Sequence, residues 1–193
     1  MITAGITGGI GSGKSLVCTI LIKLGAAVFL ADDESRKLLD TCEPLKEEIK
    51  KHFGKDLYSS EGIDKKAFAG IIFSEPEKLK LANSLIHPYV HEAFAIWAQQ
   101  QASARVVFME AAILFETGSW KKLDRMVLVY APEEVRIKRV MERDRVTREG
   151  VLERMRYQLP DCEKIKLAHY LINNDGNTPL LPQVLNLWLE LQQ

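Results

Sequence analysis

The amino-terminal part of the chain alternates apolar runs with a helical pattern. Residues 2–7 form an apolar run, and a glycine-rich stretch separates it from residues 15–24, where apolar residues recur at helical spacing. Gly25 favours a helix end there, and residues 26–31 form a second short apolar run. The order strand, helix, strand predicts a parallel βαβ unit, whose ligand crevice lies at the carboxyl ends of the strands.

Residues 34–100 have a different pattern, mostly helical and charged, with no clear strand. We expect breaks at Pro44, Gly54, Gly62, Pro76 and Pro88. A stretch of this length is too long for a simple connection, so we interpret it as an inserted helical substrate-binding region. Its aromatic residues fall at spacings that suit helix packing, and we predict that they lie in the core: Phe68, Phe73, Phe94 and Trp97.

The second half of the chain returns to alternating strands and helices. Strands are predicted at residues 106–109, 124–130 and 170–174, and helices at residues 132–142 and 179–191. With the two amino-terminal strands, this makes five strands. The pattern therefore predicts an α/β fold with a five-stranded parallel sheet in a three-layer arrangement.

The glycine-rich stretch at residues 8–15 fits the phosphate-loop motif G-x-x-x-x-G-K-[ST], with a strand before it and a helix after it. Glycines allow a tight turn whose N–H groups point at phosphate oxygens, and the positive end of the helix adds to the attraction. We expect Lys14 to reach the β and γ phosphates of ATP and Ser15 to bind Mg²⁺. The predicted nucleotide-binding residues here are Gly8, Gly9, Ile10, Gly11, Ser12, Gly13, Lys14, Ser15 and Leu16. The alternative is a glycine-rich turn with no ligand.

Composition narrows the class of partner. The 26 basic side chains balance the 26 acidic ones among 193 residues, so no overall field favours nucleic acid or an anionic membrane. We therefore expect a local anion site, a small-molecule substrate, and neither a nucleic acid nor a membrane as partner. There is no run long enough for a membrane span and no signal segment, and the three cysteines are widely spaced. This pattern is typical of a cytoplasmic protein.

Acidic residues follow two of the predicted strands. Asp32 comes just after the second strand, where a carboxylate could accept a proton from an attacking hydroxyl or help to position a metal. The alternative is that Asp32 or Asp33 caps a helix over residues 34–40. Glu110 ends the third strand and is a candidate ligand for Mg²⁺. Glu116 is a second candidate, although residues 113–116 equally suit an ordinary packed turn.

Three further features have both a functional and a structural interpretation. Arginines cluster in one third of the chain, at Arg136, Arg139, Arg143, Arg145, Arg148, Arg154 and Arg156. A few of them could close over the nucleotide as a lid that binds phosphate and excludes water, but most would be ordinary surface residues on a helix. His87 precedes Pro88 and could line a pocket, or it could be an ordinary histidine at the surface or at the core edge. The Asn174 amide reads a nucleobase or forms a turn.

Taken together, these motifs resemble the dephospho-coenzyme A kinase family nearly end to end. The matching parts are residues 5–15, Ala31-Asp32 with Arg36, His87-Pro88, residues 114–116, Arg139, Arg143, residues 147–149, Gln158, and residues 172–174 followed by Gly176. The resemblance implies transfer of the γ-phosphoryl group of ATP to the ribose 3′-hydroxyl of dephospho-coenzyme A, with magnesium. It also implies a phosphate-loop α/β core, a helical coenzyme-A-binding region and a lid.

The resemblance assigns roles to single residues. Asp32 would be the catalytic base, acting beside Lys14, and Arg139 and Arg143 would lie near the ATP phosphates. Arg148 and Asn174 would belong to the nucleotide site, with Asn174 near the adenine. Arg36 and His87 would belong to the acceptor region. The implied division is a core of residues 1–33, 104–142 and 168–193, an acceptor-binding region of residues 34–103, and a lid of residues 143–167.

The sequence departs from the family pattern at four places. Leu30 replaces the first aspartate of a D-A-D motif, and Leu16 replaces a threonine after the phosphate-loop serine. Residues 110–112 read E-A-A instead of D-x-P, and His169 replaces an aspartate before the last strand. The residues expected to carry the chemistry are all present, so we expect an active kinase.

Two other functions compete with this interpretation. One is another kinase of the same architecture that acts on a nucleoside monophosphate or a sugar-like acid. The other is a nucleotide-dependent switch protein, but such proteins usually read guanine through an Asn-Lys-x-Asp motif, which this sequence lacks.

Overall fold

A computed structural model describes all residues, 1–193. The strands are β1 (Ile2–Thr7), β2 (Ala27–Leu30), β3 (Tyr58–Ser59), β4 (Gly62–Ile63), β5 (Val106–Glu110), β6 (Arg125–Tyr130) and β7 (Tyr170–Asn173). The helices are α1 (Lys14–Lys23), α2 (Ala31–Thr41), α3 (Glu43–Phe53), α4 (Lys65–Ile72), α5 (Pro76–Gln100), α6 (Glu133–Asp144), α7 (Arg148–Met155), α8 (Asp161–Leu167) and α9 (Leu180–Leu191). None of these helices combines the length and the apolar character that crossing a membrane requires.

The chain folds as two compact units, residues 1–30 with 101–193, and residues 31–100. The functional division into core, acceptor-binding region and lid stays a prediction.

The first unit contains a five-stranded sheet in the order β2-β5-β1-β6-β7, with all neighbours parallel. This confirms the predicted α/β fold with a five-stranded parallel sheet. β5 is buried along its whole length, as its β-branched and aromatic residues favour. Helices α1 and α9 pack on the sheet through an apolar cluster that includes Leu21, Phe108 and Leu187. The order also places β1, which leads into the phosphate loop, at the centre of the sheet.

Helix α2 begins at Ala31, directly after β2. Asp32 and Asp33 therefore lie in the first turn of the helix, so the prediction that one of them caps a helix starting at residue 34 is wrong. Acidic residues in a first turn interact favourably with the positive end of the helix dipole, which explains why the helix starts earlier than the apolar pattern indicates.

The second unit is helical but includes a small hairpin, which contradicts the expectation of no strand. β3 pairs with β4 in an antiparallel ladder of two residues each. The hairpin is attached to α2, because the Tyr58 hydroxyl donates to the Leu39 carbonyl at 3.0 Å and Ile63 N donates to Asp40 Oδ1 at 2.9 Å. Strands of two residues are too short to show an alternating pattern, so periodicity gives no sign of them.

Helix α5 continues through Pro88, so the predicted break there is wrong. A proline inside a helix costs about 3 kcal/mol, but a buried stripe runs along α5 on both sides of it and includes Ile86, Val90 and Phe94. Packing of that stripe outweighs the lost hydrogen bond. Pro44 and Pro76 do lie at helix starts, and Gly54 ends α3, as expected.

Three of the four aromatic residues assigned to the core of this region pack there. Phe68 and Phe94 are buried, and Trp97 stacks on Phe94 with ring centroids 6.0 Å apart. Phe73 is 54% exposed, so its assignment to the core is wrong. It follows the end of α4 as the cap residue, where the helical period no longer decides which way a side chain faces.

Truncating Phe108 will test the contribution of the central sheet. Its side chain is fully buried in β5 and lies 6.3 Å from the Trp188 ring. We expect Phe108→Ala to lower the free energy of unfolding by about 3–5 kcal/mol, measured by urea denaturation. The matched change Phe73→Ala, at an exposed ring, should alter it by less than about 0.5 kcal/mol. Equal losses would contradict the assigned positions.

The half-buried His87 makes stability depend on pH. Burial, and secondarily the charge on His91 one turn later, lower the pKa of His87 to about 4. Between the ordinary histidine pKa of about 6.5 and pH 4, the unfolded chain therefore takes up a proton that the folded chain does not. We expect the free energy of unfolding to fall as the pH drops through this window.

The change His87→Gln should flatten that slope, as followed by urea denaturation at several pH values. The partly exposed His52, on α3 beside Glu48, provides the control. An unchanged slope in His87→Gln would show that other groups cause the pH dependence.

Candidate functional site

The phosphate loop connects β1 to α1, and close neighbours determine its shape. Gly11 and Gly13 have φ angles of +79° and +96°, a region that other residues rarely adopt. A Cβ on Gly13 would lie 2.1 Å from Asn174 Nδ2, and a Cβ on Gly11 would lie 2.5 Å from the Arg136 carbonyl oxygen. No other residue fits at either position, which explains the motif glycine Gly13 and the additional glycine at position 11.

The loop has the features of an anion site. Helix α1 begins at Lys14 and has no acidic residue in its first turn, so its positive end is not neutralised locally. The Lys14 ammonium group folds back over the loop and donates to the Gly8 carbonyl at 3.0 Å. Ser12 N donates to the Gly9 carbonyl at 3.0 Å, which tightens the turn. The binding of phosphate by this loop stays a prediction.

Arg136 supports the loop from the side of α6. Its side chain is only 7% exposed; Nε donates to the Ala131 carbonyl at 3.1 Å, and Nη2 pairs with Asp161 Oδ2 at 2.8 Å. A Cβ on Gly9 would lie 2.2 Å from Arg136 Nη1. Arg136 is thus a buried support and not one of the exposed arginines with which the sequence groups it. What distinguishes Arg136 from the other arginines is that it lies on the buried face of α6, with Ile137 and Val140.

The remaining arginines divide into two kinds. Arg139 Nη1 donates to the Asn174 carbonyl at 2.9 Å and so lies in the network around the loop. Arg143 binds Asp144 through two contacts of 2.7 and 3.1 Å, and Arg148 binds Glu134 through two of 2.6 and 2.7 Å. Both of these pairs are exposed. The roles predicted for Arg139, Arg143 and Arg148 toward ATP stay predictions.

Asn174 follows β7, and its amide contacts the loop. Nδ2 donates to the Ser12 carbonyl at 2.8 Å, and its backbone N donates to the Tyr130 carbonyl at 2.7 Å. The following turn is closed by Asp175, which accepts from the backbone N of Asn177 and Thr178. The alternative that Asn174 serves as the turn-forming residue is therefore wrong. Its predicted place near the adenine stays a prediction.

Glu110 is buried at the end of β5, opposite Ile6 of β1. The pKa of the Cys18 thiol is raised to about 12, mainly by burial and secondarily by the charge of Glu110, with Lys14 acting in the opposite direction. The charges of Glu110 and Lys14 therefore both act on α1, the helix that also carries Ser15. A thiol with so high a pKa stays protonated at neutral pH, which excludes Cys18 as a nucleophile.

Glu116 has a structural partner. Its carboxylate lies 2.8 Å from Lys164 Nζ, in a pair whose side chains are 13% and 1% exposed, and it accepts from Leu159 N at 2.9 Å. A buried ammonium group needs such a counter-charge. This geometry favours the packed-turn interpretation of residues 113–116.

The predicted acceptor residues lie in the unit of residues 31–100. Asp32 is in the first turn of α2, and Arg36 pairs with Asp33 at 2.8 Å on the exposed surface of that helix. His87 is half-buried in α5. That these three residues lie close to the phosphate loop stays a prediction.

The substitution at His169 has a structural explanation. Its backbone N donates to the Met126 carbonyl at 2.9 Å, and its ring Nδ1 accepts from Met126 N at 3.0 Å. The imidazole thus provides the hydrogen-bond acceptor that a carboxylate would offer at this position. Leu16 and Leu30, the other two single substitutions, are exposed.

Comparisons with known proteins agree with the motifs. The family model for dephospho-CoA kinase matches residues 2–179. The dephospho-CoA kinase of Bacteroides fragilis (strain YCH46) is 38% identical over 192 residues, covering 100% of this chain and 94% of that protein. That of Chlorobaculum tepidum is 43% identical over 179 residues, covering 89% and 86% respectively.

Solved structures give the same result. The protein TT1252 from Thermus thermophilus is 36% identical with a TM-score of 0.84, covering 98% of this chain and 96% of that one. Dephospho-CoA kinase from Campylobacter jejuni is 26% identical with a TM-score of 0.71, again covering 98% of this chain and 96% of that one. The sequence, the fold and the phosphate loop therefore agree that this chain belongs to the dephospho-CoA kinase family.

Proposed function

We propose that this protein transfers the γ-phosphoryl group of ATP to the 3′-hydroxyl of the ribose of dephospho-coenzyme A, giving coenzyme A and ADP. This is the last step of coenzyme A synthesis. The observation that carries the proposal is the family match over residues 2–179, because a phosphate loop alone does not specify the acceptor. The formed loop, with Lys14 folded over it, supplies the site for the donor.

The loop and its neighbours hold the triphosphate. Backbone N–H groups and the positive end of α1 bind the phosphate oxygens, and Lys14 exchanges the Gly8 carbonyl for the β and γ phosphates. Arg139 adds a cation from α6. Arg143 and Arg148 reach the phosphates when they release their surface carboxylates, and closure of this region excludes water from the transferring group. Once this region has closed, the cations are held in place around the transferring group, which is how fixed charges stabilise a transition state.

Asp32 acts on the acceptor side. Its carboxylate orients the ribose hydroxyl and takes its proton as the oxygen attacks phosphorus in line with the leaving ADP oxygen. The short link between β2 and α2 supports this role, because it leaves Asp32 only two residues beyond the end of the strand. Arg36 and His87 would bind the acceptor from the helical unit.

Mg²⁺ fits the oxygen ligands that this chain offers, the Ser15 hydroxyl and the Glu110 carboxylate. Glu110 is buried at the end of β5, and its charge affects Cys18 on α1, the helix that carries Ser15; this supports a role in binding the ion directly or through water. When bound, the ion neutralises charge on the phosphates.

We also infer that the protein works in the cytoplasm on a small-molecule substrate, without a nucleic acid or a membrane as partner. Its balanced charge and its free, widely spaced cysteines support this.

Substitution of Asp32 will test the assignment of the base. We expect Asp32→Asn to lower kcat by about 10²–10⁴-fold, because the amide orients the hydroxyl but does not accept its proton. Circular dichroism and ATP affinity should change little. The control is Glu34→Gln in the same turn, whose carboxylate pairs with the exposed Lys37, and it should keep kcat. Turnover near the wild-type value in Asp32→Asn would exclude Asp32 as the base.

The choice of acceptor will separate the proposed function from its alternatives. We expect ADP release in a coupled assay to depend on dephospho-coenzyme A and to stay near the background rate with nucleoside monophosphates or sugar acids. Faster turnover with one of those acceptors would favour another kinase of this fold. A slow rate that ignores every acceptor would favour a nucleotide-dependent switch.

A further inference from the structure

The middle of the phosphate loop is held by a side chain from a distant part of the sequence. Ile10 N donates to Gln158 Oε1 at 2.9 Å, although the two residues are 148 positions apart. Gln158 lies between α7 and α8, directly after the arginine-rich stretch. The loop residue Ile10 is only half-buried, so water could satisfy its N–H. The protein instead supplies a fixed acceptor.

Residues 158–164, which we call the anchor segment, are tied to the core by further polar contacts. Leu159 N donates to Glu116 Oε1 at 2.9 Å, and Lys164 Nζ lies 2.8 Å from the same oxygen. Asp161 pairs with the buried Arg136 at 2.8 Å. Buried charge-assisted contacts of this kind fix a segment more firmly than exposed pairs do.

Two contacts of the anchor segment reach adjacent residues of the loop. Gln158 holds the N–H of Ile10, and Asp161 holds Arg136, whose Nη1 lies against Gly9. The first half of the loop is thus positioned from the anchor segment. Asn174 separately holds the second half, at the Ser12 carbonyl.

Upstream of the anchor segment the contacts are different. Arg143, Arg148 and Arg154 pair with exposed or partly exposed carboxylates on α6, at Glu134 and Asp144. Surface pairs of this kind hold weakly and exchange readily. The arginines of α7 are therefore held only by weak surface pairs, although Val151 of the same helix is buried against Ile137 and Val140 of α6. The segment that follows α7 is held by stronger contacts and touches the loop.

We propose that Gln158 is a positioning residue for the phosphate loop, and that the anchor segment links the loop to the arginine-rich helix α7. The proposal rests on the proposed function, since it assumes a nucleoside triphosphate in the loop. Without the Gln158 acceptor, the N–H of Ile10 turns to other partners and the loop samples other conformations. Nucleotide binding must then restore the loop, which lowers the apparent affinity.

The test compares Gln158→Leu and Gln158→Glu with the wild-type protein. Leucine removes the acceptor, so we expect faster hydrogen exchange at Ile10 without nucleotide and a Kd for ATP about tenfold higher, as measured by calorimetry. The KM for dephospho-coenzyme A should change by less than about twofold, which is within ordinary variation for an untouched site. Glutamate keeps an acceptor oxygen, so protection at Ile10 should return even where its charge weakens ATP binding.

Asp124→Ala is the matched control. Asp124 accepts from Thr3 N at 2.8 Å at the other end of β1, so its loss removes a comparable backbone contact far from the loop. We expect it to lower the melting temperature but leave the Kd for ATP unchanged. If Gln158→Leu does not fold, Gln158→Asn replaces it, because the shorter side chain withdraws the oxygen from Ile10.

The proposal is overturned if Gln158→Leu, or its replacement, leaves both the exchange at Ile10 and the Kd for ATP unchanged. It is also overturned if Asp124→Ala raises that Kd equally. The proposed function and the positioning role of Gln158 can be refuted independently. A wild-type protein that binds ATP but does not phosphorylate dephospho-coenzyme A would refute the acceptor assignment, while the exchange and affinity data would still decide the role of Gln158.

Discussion

The close approach of side chains to the backbone of the phosphate loop is the constraint on which the donor site depends. The Arg136 guanidinium, its carbonyl oxygen and the Asn174 amide all occupy space that a Cβ would need on Gly9, Gly11 or Gly13. The loop is therefore shaped as much by what packs against it as by its own flexibility. Because those neighbours come from α6 and from the end of β7, the site forms only when the sheet and its carboxyl-terminal helices are in place.

The arginines of this part of the chain are held in two ways. Arg136 and Arg139 contact the protein through carbonyls and one partly buried carboxylate, beside the loop. Arg143 and Arg148 pair with exposed or partly exposed carboxylates, whose attraction is worth at most about 1 kcal/mol. In the proposed reaction a triphosphate outcompetes those carboxylates, because it offers more negative charge to the same planar groups.

The sequence predicted the strand, turn and helix of the phosphate loop, because these parts are contiguous and follow one another within a few residues. It predicted the sheet because buried parallel strands form apolar runs, as the first four residues of β5 do. Sequence-based prediction failed where the structure is decided by contacts between distant residues or by elements too short to show a pattern. Arg136 looks like its exposed neighbours until packing is known. Pro88 lies in a helix whose buried apolar stripe outweighs the helix-breaking effect of the proline. The two-residue strands of the hairpin are too short to show a period. The contact of Gln158 spans 148 positions, so no local pattern contains it.

The ion pair between Glu116 and Lys164 has a consequence for how this protein can change over evolution. Losing either partner leaves one buried charge uncompensated, at a cost of about 3–5 kcal/mol, which is a large share of the stability of an ordinary domain. Replacing both with apolar residues of similar volume is nearly neutral by comparison. A chain that loses this pair one residue at a time must therefore pass through a destabilised single mutant, so we expect the two positions to change together.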